Sequence, residues 1–100
     1  MRNIHIQHRA KHDLKQIWRS SFTKWGERQA NTYYDDLTRG MEAIANNPHI
    51  GLAREHLGPG YRQYQVRHHL VFYRLTSTTI KIIRVLSEKM DIPQILKEQP

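Results

Sequence analysis

The sequence predicts an α+β fold, β-α-α-β-β-β with a short C-terminal helix: an antiparallel helical hairpin packed on an antiparallel sheet. Three observations predict it. Two stretches between residues 8 and 45 carry apolar residues at helical spacing. Three short runs of aromatic and β-branched residues then follow one another closely: Tyr61 to Val66, Leu70 to Leu75 and Thr79 to Leu86. One alternating stretch, Ile4 and Ile6 between polar neighbours, precedes them all.

Asn3 to Gln7 is a short half-buried strand expected to join the later three in one sheet. His8 to Thr23 forms a helix whose stripe is Ala10, Leu14 and Ile17, widened by Trp18 and Phe22; Arg9, Lys11, Lys15 and Arg19 take the outer face. Asp13 is placed in its first turn, where the helix dipole favours an anion. Thr23 is expected to cap a second helix, with Trp25 and Gly26 in its first turn. Ala30, Tyr33, Tyr34, Leu37, Met41, Ile44 and Ala45 supply that helix's stripe, and Asn46-Asn47-Pro48 stops it. So short a connection folds the two helices back on each other. His49 to Gly60 reads as a loop of about a dozen residues, a length that often marks function. Pro59-Gly60 turns the chain into a three-strand meander, with Arg67-His68-His69 separating the first two strands. Asp91 caps a last short helix with Pro93 in its first turn and Ile92, Ile95 and Leu96 apolar.

One hundred residues make one domain, 1–100. There is no cysteine, so no disulfide or thiolate metal site. No apolar run approaches the roughly 20 residues of a membrane span, and the N-terminus lacks the apolar core of a signal peptide. These features point to a cytoplasmic protein that meets no membrane. The net charge is +7, with ten arginines against six lysines. That balance calls for an anionic partner, since the planar guanidinium suits phosphate and carboxylate. Five cations, Arg62, Arg67, Arg74, Lys81 and Arg84, fall on the predicted sheet, where its other face or its edges would meet that partner.

His8 and His12 have metal-ligand spacing, but Arg9, Ala10 and Lys11 lie between them and the cations oppose a dication. The reading is a solvated face, with no metal and no cofactor. No nucleophile elbow, phosphate-binding glycine loop or dinucleotide fingerprint is present, and Asp35-Asp36 diverge on a helix. Metal-free ribonuclease chemistry needs a base, an acid and a cation for the phosphorane. Arg62, Tyr64, His69 and Arg84 on adjacent strands are the candidates, against a reading in which Tyr64 is core and the arginines are solvated or bound to an acidic partner. Trp18, Trp25, Tyr33 and Tyr34 are mostly core, with some left to form the lip of a groove for a partner helix.

Ala10, Asp13 and Leu14, then Trp25-Gly26 with Gln29-Ala30 and Tyr33, resemble the helical hairpin of the ParE-type toxins. The likeness continues through Asn47-Pro48 with Gly51, Pro59-Gly60-Tyr61-Arg62, Val66, His69-Leu70-Val71-Phe72-Tyr73-Arg74, Arg84-Val85-Leu86 and Met90-Asp91, covering about residues 10 to 92. Each motif is short; their order and spacing are specific. The family belongs to the ParE/RelE superfamily, and its fold is the arrangement already read from periodicity. The resemblance implies a toxin of a bacterial type II toxin–antitoxin system, joined in a hetero-oligomer to a cognate antitoxin, usually acidic, that wraps it with a helix and an extended segment. It implies DNA gyrase as the target, with RelE-like ribosome-dependent mRNA cleavage as the alternative. In the first case the target-facing residues are Arg84, Lys89, Met90, Ile95 and Leu96, the antitoxin-facing ones are Trp18, Trp25, Tyr34 and Arg74, and no residue is catalytic. In the second, Arg62, Tyr64, His69, Arg84 and Lys89 carry the chemistry. Here Ser87-Glu88-Lys89 stands where many members of both branches have a histidine or arginine, and no tyrosine or histidine follows Tyr73. The tail acid or base of the ribonuclease branch is therefore absent.

Overall fold

A computed structural model describes residues 2–97. The elements are β1 (Asn3–Ile6), α1 (His8–Trp25), α2 (Glu27–Asn46), β2 (Leu52–Ala53), β3 (Tyr61–Val66), β4 (His69–Leu75), β5 (Thr79–Ser87) and α3 (Ile92–Lys97). The five strands make one sheet in the order β1-β5-β4-β3-β2. Strands β2 to β5 pair antiparallel, and β1 adds to the outer edge of β5 in parallel, Asn3 beside Thr79 through Ile6 beside Ile82.

The two helices lie on one face of this sheet. Ala10 and Leu14 of α1 and Leu37, Met41 and Ile44 of α2 bury their side chains with Val71, Tyr73, Ile80, Ile82 and Val85. Phe72, Ile83 and Leu86 are also buried, so β4 and β5 read as nearly continuous apolar runs. Gly40 lets α2 pack closely on β3: a Cβ there would collide with Cγ2 of Val66.

The break between helices differs from the sequence reading. Thr23 is not a cap: its hydroxyl donates to the Arg19 carbonyl within α1, which continues through Trp25. The break is Gly26 alone, at φ 88°, a conformation that a residue without a Cβ adopts readily. Its N–H donates to the Phe22 carbonyl, and its own carbonyl accepts from Ala30 to start α2.

Asp13 also moves. Helix α1 begins at His8 and has no acid in its first turn, so Asp13 faces β5 instead of the helix dipole. The stretch from His49 to Gly60 is not bare loop. Leu52 and Ala53 pair with Gln63 and Arg62, and Glu55–Leu57 makes one 3₁₀ turn. The β3–β4 turn is two residues, Arg67-His68, with Arg67 at φ 52°, and His69 already pairs with Val66. The end of α2 at Asn46 and the capping of α3, where the Gln94 N–H donates to Asp91 Oδ1, are as expected.

Candidate functional site

A cleft of about 560 Å³ lies between the C-terminal half of α1 and the ends of β4 and β5. Its size suits a bound segment or ligand. Ile17 and Trp25 form one wall, Tyr33 and His69 are at the floor, and Lys89 and Met90 form the other wall. Trp25 is 62% exposed and Met90 50%, large apolar side chains left facing solvent across one groove.

The floor is a hydrogen-bonded pair. Tyr33 Oη lies 2.6 Å from His69 Nδ1 and also accepts the His68 N–H at 3.2 Å. Burial raises the Tyr33 pKa above its ordinary value. Burial, with His68 alongside, lowers that of His69. Both directions favour a neutral pair, so the hydrogen-bonded Tyr33 and His69 bring no charge to the floor of the cleft. His68 turns the other way, its Nδ1 3.1 Å from a Glu88 carboxylate oxygen.

Behind the cleft, Arg84 grips Asp13 in a two-pronged contact: Nε to Oδ2 at 2.7 Å and Nη2 to Oδ1 at 2.9 Å. Asp13 also accepts the Val85 N–H at 3.0 Å. Both side chains are largely buried, at 16% and 13% exposed. The Asp13 hydrogen bond raises the Arg84 pKa, so the guanidinium is fixed as a cation and turned inward.

The remaining predicted residues are dispersed. Arg62 donates to the carbonyls of Gly51 and His49 at 2.9 and 3.0 Å, tying down the segment before β2. Tyr64 is half-buried on β3 and packs against the core. Trp18 stacks on Phe22 and donates to Asn31 Oδ1 at 2.9 Å. With Tyr34 it lines a separate shallow groove along the helical hairpin. Ile95 and Leu96 are half-buried on α3. Arg74 lines a concavity with Lys81 and Ile83, well away from those aromatics. The structure thus unites His69, Lys89, Met90 and Trp25 in one cleft, puts Arg84 at its back, and leaves Arg62 and Tyr64 out.

Three participants escaped sequence reasoning. Tyr33 was a helical aromatic, Asp13 a dipole residue, and Asp36, which pairs with Arg67 across the hairpin turn, a solvated carboxylate. Each acquires its partner from across the fold. His8 and His12 are exposed on α1, and no group of three or more metal-ligating side chains occurs among the described residues. None of the helices described there is long and apolar enough to cross a membrane.

Residues 4–92 match the family described as ParE toxin of type II toxin–antitoxin system, parDE. The chain belongs to the ParE toxin family. Toxin ParE1 of Caulobacter vibrioides is 40% identical over 91 residues, covering 91% of this chain and 94% of that protein. Toxin ParE1 of Mycobacterium tuberculosis is 38% identical over 84 residues, covering 83% and 86%. Among solved structures, the chromosomal ParDE system of P. aeruginosa superposes with a TM-score of 0.76 at 19% identity, covering 87% of this chain and 96% of that one. YafQ of E. coli follows with a TM-score of 0.61 at 18% identity, covering 88% and 94%. At such identities the superpositions speak for the fold, which the ParE chain shares with the wider set of toxins.

Proposed function

We propose that this ParE-family toxin poisons DNA gyrase in the cytoplasm and is neutralised by direct binding of a cognate acidic antitoxin. The observation that carries this reading is how the basic residues are used. Cleavage without a metal needs a free cation for the phosphorane and groups able to exchange protons. Arg62 is bound to two carbonyls, Arg84 to a carboxylate, and His69, its pKa lowered by burial, is hydrogen-bonded to Tyr33. No tyrosine or histidine follows Tyr73. What the cleft offers is a recognition surface, exposed Trp25 and Met90 flanked by Lys89.

In this reading Lys89 and Met90, extended by Ile95 and Leu96 of α3, face the target, and Arg84 holds the wall behind them. Trp18, Trp25 and Tyr34 meet the antitoxin. The +7 charge suits an acidic partner. The pairing of ParE with its partner in the P. aeruginosa ParDE system supports a hetero-oligomer. Ribosome-dependent mRNA cleavage is the second reading, favoured by His69 and Lys89 sharing one cleft.

Titrating the purified toxin into gyrase with relaxed plasmid and ATP tests the first reading. Loss of supercoiling with trapped, cleaved DNA is the expected result. Unaffected gyrase, with toxin that is folded and halts growth in cells, overturns it and leaves mRNA cleavage as the account to test.

A further inference from the structure

The face of the sheet turned away from the helices carries a cross-strand row of basic and polar side chains whose cations have no counterion among the described residues. In register across four strands stand His5 of β1, Lys81 of β5, Arg74 of β4 and Tyr61 of β3. Neighbouring members are about 4.8 Å apart, the spacing of paired strands. Like charges directly opposite each other destabilise a strand pair, yet Arg74 and Lys81 are such a pair. Arg9, from the first turn of α1, extends the row into one concavity of about 350 Å³ lined by no carboxylate among the described residues. The ion pairs described elsewhere use Asp13, Asp36 and Glu88, none of which lines it. Arg74 is held in place, its Nε donating to the Pro59 carbonyl at 2.9 Å and its guanidinium lying 6.0 Å over the Tyr61 ring.

We propose that this row binds the phosphate backbone of duplex DNA, independently of sequence. An unneutralised row fixed across a rigid sheet is a built complement to a line of anions. Duplex DNA presents such a line at about one charge per 1.7 Å of axis. Single strands are the weaker fit. They need an open aromatic face for their bases, and the Arg74 guanidinium already lies over the Tyr61 ring. The row and the cleft share no lining residue. Its test is independent of gyrase.

The test is binding of a labelled 20-base-pair duplex across a salt series. It compares the wild type, Arg9→Gln/Lys81→Gln, and a control, Lys15→Gln/Arg19→Gln, that removes the same charge from the exposed outer face of α1. The row variant is expected to bind about tenfold more weakly at physiological salt, with a salt slope smaller by about 1.8, or about 0.9 for each lost phosphate contact. The control is expected to stay within about twofold, because its cations lie off the row. Thermal unfolding provides the second readout. Lys81→Gln alone is expected to keep or raise Tm, since it relieves the repulsion with Arg74, while still weakening DNA binding. Equal weakening by both double variants, absence of duplex binding by the wild type, or tighter binding of a single strand overturns the proposal. So does competition by polyglutamate as effective as by DNA at equal charge, which would make the row a surface for an acidic protein.

Discussion

At Arg84 the residue scale decides what a mutation can mean. Strand β1 pairs with β5 only as far as Ile82, which leaves the Val85 N–H on an open edge. Asp13 closes that edge by accepting the N–H, and Arg84 neutralises the carboxylate that does so. Removing one member of a largely buried pair strands the other and costs about 3–5 kcal/mol. Domains of this kind have only about 5–15 kcal/mol in hand. Arg84→Ala and Asp13→Ala are each expected to destabilise by about 3 kcal/mol, and the double variant by less than the sum because the two are coupled. Arg84→Lys does not restore the loss, since an ammonium cannot reproduce the fork. Urea unfolding of the four variants measures this. An Arg84→Ala protein as stable as wild type but no longer toxic would make Arg84 a contact with the target. The sequence made Arg84 visible through its family motif, but not its partner, which lies 71 residues away. The same holds for Tyr33 and His69, 36 residues apart. Periodicity places each on an element and is silent about which elements touch.

At the scale of elements, α2 carries a glycine where helix propensity favours alanine by about 1 kcal/mol. Gly40 is buried at mid-helix, and the collision a Cβ there would make with Val66 is the reason. Val66 is β-branched and stiff, so it cannot swing aside. Overpacking of this kind costs about 1–3 kcal/mol, which outweighs the propensity gain. Gly40→Ala is therefore expected to lower stability by about 1–2 kcal/mol in the wild type. In a Val66→Ala background the same change is expected to be neutral or to stabilise by up to about 1 kcal/mol. Paired thermal melts test this, and a higher Tm for Gly40→Ala alone would remove close packing as the explanation. The long elements were legible because their apolar residues repeat at 3.6 or 2 over many positions. Strand β2 was not: two residues hold no period, and Leu52 and Ala53 are strand only because β3 offers them an edge. The helix break was misplaced by three residues because Thr23 is a good cap by type, whereas the turn needed the φ of 88° that Gly26 supplies.

For the whole molecule, the +7 charge is not spread evenly. Some of it is neutralised within the chain, in the interior at Arg84 with Asp13 and on the surface at Arg67 and Arg39 with Asp36. Arg9, Lys11, Lys15, Arg19, Lys24 and Arg28 remain exposed along α1 and the start of α2, the same hairpin that displays Trp18 and Trp25. In the proposed reading this arrangement would divide the work of capture: long-range attraction would bring an acidic antitoxin to the hairpin, and the exposed aromatic surface would then hold it, because apolar contacts act only at close range. The two parts respond differently to salt. Raising NaCl from 0.1 to 1 M shortens the screening length from about 10 to about 3 Å, which cuts off the attraction and leaves the packed contacts intact. The association rate with the cognate antitoxin is therefore expected to fall by at least about tenfold over that range, while the dissociation rate changes by less than about threefold. Stopped-flow quenching of tryptophan follows both rates, since Trp25 is 62% exposed in the free chain. A salt-independent association rate would mean that the aromatic surface alone drives the encounter, and the antitoxin would not be the acidic partner inferred from the toxin's charge.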